Sequence, residues 1–311
     1  MKGFIISSWD FSSGAAKQKH PEIQQVLAEN WYHCQRDAAG LKDWLIGSQI
    51  PEAVVDSLLT DDTRPRFEKY SDDCFLMILR GINLNQGAEP DDMLSLRILW
   101  FKGALISTRK VPSRAVTNII NQLEQGNGPR SLPDLLQAMA NSINGIISGF
   151  LAPVEDTLND MDHNLTADPK EINAISSRLL RLRRYLKPQR YVLEDLIQAD
   201  IKVLAGHKNH FKNCLDTIVR MNESIEFYID QVNLYFANIN QQQTERMNRN
   251  TYLFSVIAGI FLPASFFTGL LGVNIGGMPG IDNPLAFTLF CIGLVAIVAI
   301  EVIVLKRLRF I

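Results

Sequence analysis

Two long runs of apolar residues stand near the carboxyl end of the chain. The first, Thr251 to Leu271, carries no charged residue over 21 positions, and the second, Leu285 to Leu305, carries only Glu301. As a helix, each would be about 31 Å long at about 1.5 Å per residue, which matches the roughly 30 Å hydrocarbon thickness of a bilayer. The pattern predicts two transmembrane helices. The alternative is a pair of buried helices in a large soluble core.

The residues before the first apolar run predict one very long stalk helix that continues into it. No proline occurs from Gln189 to Leu262, and Gly206 is the only glycine before Gly259. Uninterrupted helix over that stretch would be about 110 Å long. Apolar residues recur at every seventh position, which is typical of a helix packed lengthwise against partners. These residues are Leu204, Phe211, Ile218, Ile225, Val232 and Ile239.

The opposite side of this helix is small or neutral-polar where it would cross the membrane. We call this set the small-polar stripe, and its members are Thr251, Ser255, Ala258, Leu262, Ser265 and Gly269. Two interpretations are open: small residues permit close contact between helices, or several copies of the helix surround a water-filled path. Because a chain with two spans cannot enclose a pore, the second interpretation requires a symmetric ring of chains.

The amino-terminal region mixes strand and helix signals and predicts an α/β domain. Strands are predicted over Phe4–Trp9, Cys74–Ile82 and Leu94–Thr108, the last of them folded into a hairpin at Lys102-Gly103, and helices over Glu22–Cys34 and Glu52–Leu59.

Strand signals vanish after Val111. Helices are predicted over Ser113–Gln125, Leu135–Leu165 and Glu171–Lys187, with a break at Pro188. The predicted organisation is an α/β domain at 1–112, a helical region with the stalk at 113–250, a first transmembrane helix at 251–271, a loop at 272–284, a second transmembrane helix at 285–305 and a basic tail at 306–311.

Composition narrows the class of protein. The chain has 311 residues, 47% of them hydrophobic, with four cysteines and a formal net charge of −2. The apolar share excludes a disordered chain, the cysteine count excludes a disulfide scaffold, and the near-neutral charge argues against a nucleic-acid partner. The mean hydropathy of +0.01 is an average over a polar body and the two apolar runs.

Basic residues flank the predicted spans and indicate their orientation. Arg246 and Arg249 precede the first span, and Lys306, Arg307 and Arg309 follow the second, whereas residues 273–284 contain no Lys or Arg. The positive-inside rule therefore predicts a multi-pass protein of the inner membrane with both termini in the cytoplasm.

The connection between the spans is rich in glycine and begins with Gly272-Val273-Asn274. Asn274 would present a neutral carbonyl and amide just beyond the membrane. In a ring of chains, several such side chains could hold a hydrated divalent cation through its water shell. The alternative is a simple hairpin between two spans.

Candidate metal ligands also occur in the polar body. His207, His210 and Cys214 stand at i, i+3 and i+7, share one helix face, and are residue types that bind zinc. The outer two lie about 10 Å apart along a helix axis, so the alternative is exposed histidines beside a packed cysteine.

The remaining features are a run of basic residues and the lack of known catalytic motifs. A basic run is predicted to lie beside the acidic residues between Glu155 and Asp162, or to face lipid head groups. Its members are Arg178, Arg181, Arg183, Arg184 and Lys187. The sequence has no P-loop, nucleophile elbow or HExxH pattern, so we predict neither enzymatic activity nor a cofactor.

The sequence resembles the CorA-type metal-ion transporter superfamily. The resemblance lies in the two carboxyl-terminal spans, the long preceding helix and Gly272-Val273-Asn274, where the family signature is Gly-Met-Asn. Gly276-Gly277-Met278-Pro279-Gly280 departs from the Met-Pro-Glu of the magnesium members and is similar to the ZntB zinc-transporter branch. Arg64-Pro65-Arg66 and the segment from Ser95 to Trp100 are similar to that branch too.

The resemblance implies a homopentamer in the lipid bilayer with a cytoplasmic funnel. The first spans would line the pore, the second spans would form an outer ring, and Asn274 would recognise the transported ion. The implied substrate is zinc or another divalent metal ion, and the zinc branch is associated with proton-coupled movement. A magnesium, cobalt or nickel channel of the same superfamily, or a non-conducting membrane-anchored sensor or scaffold, are the alternatives.

Overall fold

The protein is described by a computed structural model that covers residues 3–19, 25–61, 64–89, 92–163, 169–272 and 283–307, without the side chains of 159–163 and 271. It divides into two compact units, Met1–Asn233 and Leu234–Ile311.

The first unit contains a seven-stranded sheet with the order β2-β1-β3-β7-β6-β5-β4. All neighbouring strands are antiparallel except β3 and β7, which are parallel. The strands are β1 (Ile5–Asp10), β2 (Lys17–Gln18), β3 (Asn30–Gln35), β4 (Arg66–Ser71), β5 (Cys74–Gly81), β6 (Leu94–Phe101) and β7 (Ala104–Arg109).

Helices cover both faces of this sheet. One face packs on α1 (Leu41–Gly47) and α2 (Glu52–Leu59), with Leu45 and Val55 fully buried against strand residues. On β5, the other face lies against two longer helices, α4 (Leu132–His163) and α5 (Pro169–Gln198). The remaining helices are α3 (Arg114–Glu124), a 3₁₀ helix (Lys202–His207), α6 (Lys208–Gly272) and α7 (Ala286–Arg307).

The predicted α/β domain, long helix and apolar carboxyl-terminal helices are all present. The hairpin at Lys102-Gly103 joins β6 to β7, and both of its residues have positive φ, 46° and 77°. α6 is a single helix of 65 residues that continues through the first predicted span.

Three local predictions were wrong. The helix predicted over Glu22–Cys34 is not found in its described part, because residues 30–35 form β3, which pairs with β1 and β7. The break predicted at Pro188 is absent, because α5 continues through it to Gln198. The uninterrupted helix predicted from Gln189 to Leu262 is broken before α6, where Asp200 has a left-handed φ of 46° and a 3₁₀ helix follows.

Apolar residues of α6 are buried only in the first unit. Phe211, Ile218, Ile225 and Val232 are at most 2% exposed, as the seven-residue repeat predicted. In the second unit, by contrast, large apolar side chains of α6 and α7 are exposed, among them Phe261 and Phe287. Apolar surface on this scale requires a non-aqueous environment or partner chains.

Among the described residues, three helical segments are long and apolar enough to cross a membrane: Leu132–Leu158, Lys202–Leu270 and Ala286–Arg307. The most apolar window of the first is 44% buried inside the protein, whereas those of the other two are 0% buried. The apolar residues of α4 are therefore explained by packing in the first unit, and those of α6 and α7 are not.

Candidate functional site

The small-polar stripe follows one line along α6. Its six members alternate spacings of four and three residues, so at 100° per residue they fall within about 40° of a common line. Thr251, Ser255, Ala258, Leu262, Ser265 and Gly269 all lie within the helix and are exposed. Large apolar residues, including Leu253 and Ile260, lie on the opposite side.

Hydroxyl groups in this segment are oriented by the helix backbone. Ser255 Oγ donates a hydrogen bond to the Thr251 carbonyl oxygen at 2.9 Å. Directly before the last stripe residue, Thr268 Oγ1 donates to the Ser265 carbonyl oxygen at 3.0 Å. Because the backbone carbonyls accept these protons, the hydroxyl lone pairs remain available to water or a cation.

Pro263 adds a polar feature that the sequence analysis did not consider. α6 continues through this residue, which has no N–H group to donate to the carbonyl oxygen of Gly259. A proline within an apolar helical run was the signal that could have revealed it. The apolar segment of α6 therefore carries a backbone acceptor beside its oriented hydroxyls.

Of the predicted loop motif, the structure places only Gly272, which is the last residue of α6. Val273 and Asn274 lie outside the described residues. The helix does carry the chain to the position immediately before them.

The structure does not assemble His207, His210 and Cys214 into a metal site. His207 belongs to the 3₁₀ helix rather than to α6, and its Nε2 lies 2.7 Å from Asp134 Oδ1 on α4. The Cys214 thiol is buried and donates to Asn141 Oδ1 at 2.8 Å. Among the described residues, no group of three His, Cys, Asp or Glu side chains is arranged to hold a metal ion.

The protonation of these groups agrees with a structural role. Burial raises the pKa of the Cys214 thiol to about 11, so the thiolate that zinc requires is disfavoured at neutral pH. Burial also disfavours ionisation of Asp134, but hydrogen bonds from His207 and Ser131 outweigh it and lower the pKa of Asp134. The His207–Asp134 pair thus links the start of α4 to the segment that precedes α6.

This chain is similar to known transport proteins in sequence and in fold. The zinc transport protein ZntB of Vibrio parahaemolyticus is 44% identical over 310 residues, which are 99% of this chain and 98% of that protein. The crystal structure of its cytoplasmic domain covers 78% of this chain and 99% of its own, with 40% identity and a TM-score of 0.74.

A second relative is the divalent cation transporter CmaX of Pseudomonas aeruginosa, 33% identical over 90% of this chain and 87% of that protein. The structure of full-length CmaX covers 98% of both chains with 30% identity and a TM-score of 0.84. Residues 28–307 match the family described as CorA-like Mg2+ transporter protein, and the chain belongs to that family.

Proposed function

We propose that this protein transports divalent metal ions across the inner membrane, with zinc as the preferred ion. The observation that carries the proposal is the small-polar stripe on an exposed, apolar and uncharged helical segment. Similarity to the zinc transport protein ZntB supports zinc, and similarity to the divalent cation transporter CmaX supports the broader class of substrate.

The transporting unit is a homopentamer in which α6 lines the pore and α7 faces lipid. α6 offers a stripe that suits water, whereas α7 carries a single charged residue before its basic end, Glu301, and is otherwise largely apolar. Lys306 and Arg307 lie in the last turn of α7, which supports a cytoplasmic location for that end.

The ion passes the stripe in hydrated form, and a ring of Asn274 side chains recognises it through its water shell. Leu262 is the only large apolar member of the stripe and forms the narrowest point.

Movement of zinc through the pore is coupled to movement of protons. Glu301 is the only charged residue in either predicted span, and zinc flux measured with and without a pH gradient tests the coupling.

The decisive experiment is zinc flux into liposomes that contain the purified full chain. Wild-type protein should conduct zinc in preference to magnesium, cobalt and nickel. Asn274→Ala should abolish the flux without changing the oligomeric mass. Asn250→Ala, on the same helix but outside the stripe, is the matched control and should conduct normally.

Each other outcome has a clear meaning. Normal zinc flux through Asn274→Ala would contradict the recognition ring. Preference for magnesium, cobalt or nickel would replace zinc with the alternative substrate. If none of the ions enters the liposomes and a partner protein co-purifies, the protein is instead a non-conducting sensor or scaffold.

A further inference from the structure

A cleft with a strongly positive lining lies in the first unit. We call it the basic cleft. Its volume is about 610 Å³, within the range of about 300–1,000 Å³ that is typical of small-molecule sites. The lining residues that matter here are Arg64, Arg183, Arg184, Lys187, Tyr191 and Glu226.

The charges in the cleft are poorly balanced. Four cationic side chains face a single carboxylate, and that carboxylate is already engaged, because Arg183 Nη1 lies 3.1 Å from Glu226 Oε2. Within the described part of the chain, neither Arg64 nor Lys187 has an ion-pair partner. Arg184 rests over the ring of Tyr185, at 5.7 Å from its centroid, rather than on a carboxylate.

The spacing of these cations also disfavours the helix that carries them. Lys187 stands three and four residues after Arg184 and Arg183, where like charges repel across one turn. Just outside the cleft, an arginine of the same helix is paired with a carboxylate one turn later. Arg190 Nε lies 2.6 Å from Glu194 Oε1. A concave site that concentrates unpaired cations attracts an anion with several charges.

The geometry points to a nucleoside polyphosphate, and we propose that the basic cleft binds a soluble ligand of this class. Guanidinium groups bind phosphate oxygens through two parallel hydrogen bonds, and the Lys187 ammonium adds a compact charge. Tyr191 is 52% exposed at the cleft and offers an aromatic ring on which a nucleobase stacks, and Leu180, 45% exposed, adds apolar surface to the lining.

Isothermal titration of the full chain in detergent, with EDTA present to exclude metal bridging, tests the proposal with three probes. ATP should bind at one site per chain, inorganic tripolyphosphate should bind more weakly, and adenosine should not bind. The double variant Arg64→Gln, Lys187→Gln should weaken ATP at least about tenfold. Arg190→Gln is the matched control and should bind ATP as the wild type does.

A second variant tests the contribution of the base separately from that of the phosphates. Tyr191→Ala should weaken ATP and leave the affinity for tripolyphosphate unchanged, since only the base stacks on the ring. Absence of ATP binding at about 1 mM, or equal loss of affinity in the Arg190→Gln control, would overturn the proposal.

Two further arms identify other occupants of the cleft. Repeating the titration in nanodiscs should give the same ATP affinity with anionic and with zwitterionic lipid. Loss of ATP binding in anionic discs would assign the cleft to a lipid head group and overturn the soluble ligand. A changed oligomeric mass in the double variant, without ATP binding to the wild type, would assign the cleft to a neighbouring copy and overturn it as well.

Discussion

Arg97 gives a quantitative test of how the sheet is packed. The side chain lies on β6, is fully buried, and donates from Nη1 to the Leu58 carbonyl oxygen at 2.7 Å. Its Nη2 atom has no hydrogen-bond partner in the described part of the chain. Burial, reinforced by Arg36 and Arg80, lowers the pKa of Arg97 to about 10.

Two opposing effects decide what Arg97→Met would do. The lowered pKa corresponds to a free-energy cost of about 3 kcal/mol for keeping the charged form in the folded state, at about 1.4 kcal/mol per pKa unit. Loss of the charged hydrogen bond to Leu58 costs about 1.5–3 kcal/mol. Because these nearly cancel and methionine fills similar space, the free energy of unfolding should change by less than about 1.5 kcal/mol.

Tryptophan fluorescence during urea unfolding is the suitable assay. All four tryptophans (Trp9, Trp31, Trp44 and Trp100) are buried in the sheet and in α1, so the signal reports the α/β region alone. The control is Arg190→Met, which removes an exposed pair and should change the free energy of unfolding by at most about 0.5 kcal/mol.

The pH dependence provides a second check. Since the pKa of Arg97 is lower in the folded state, the folded protein binds fewer protons than the unfolded chain over the pH interval that begins near 10. Wild-type stability should therefore rise relative to the methionine variant across that interval. A loss of about 4 kcal/mol or more on Arg97→Met would contradict this prediction, because it would mean that the buried charge is well compensated.

Three more predictions follow from the described contacts. Leu262→Ser should widen the narrowest point and raise zinc flux in liposomes, whereas Leu253→Ser, on the opposite side of α6, should leave it unchanged; equal effects would contradict the assignment of the stripe. Burial raises the pKa of Cys214 to about 11, so peptide mass spectrometry should find this thiol unlabelled by maleimide at pH 7 until urea unfolds the protein. Hydrogen bonds from Lys19 and Ser12 lower the pKa of Asp10 to about 2, so Asp10 stabilises the fold above pH 4 and loses that effect as pH falls from 3.8 to about 2. Asp10→Asn should lower the free energy of unfolding in urea by under about 1 kcal/mol at pH 7 and should flatten its pH dependence over that acid range. An unchanged pH profile would count against the pair with Lys19.

Strong local signals made much of the fold predictable. Lys102-Gly103 between two apolar runs indicated a hairpin, and the seven-residue repeat indicated which side of α6 is buried. β3 escaped prediction because its burial comes from strands distant in sequence: Trp31 pairs with Leu105, and His33 with Ser107. Periodicity over a short apolar segment does not distinguish a strand from a helix in such a setting.

Tertiary contacts also overrode two local rules. α5 continues past Pro188 because buried residues on both sides hold it to the sheet, and Gln189 Oε1 accepts a hydrogen bond from the Arg80 backbone N–H at 2.7 Å. His207 and Cys214 had zinc-binding spacing in the sequence. Their partners, Asp134 and Asn141, come from a helix about 70 residues earlier, which no local pattern indicates.

Cysteine accessibility shows whether the small-polar stripe faces water in the membrane, as the proposed ion path requires. In a Cys291→Ser background, Ser255→Cys and Ser265→Cys are placed on the stripe and Ile260→Cys on the opposite side of α6. A membrane-impermeant methanethiosulfonate reagent should modify the two stripe positions and block zinc flux through liposomes, while Ile260→Cys stays unmodified and conducts. Modification of Ile260→Cys with both stripe positions protected would contradict the account.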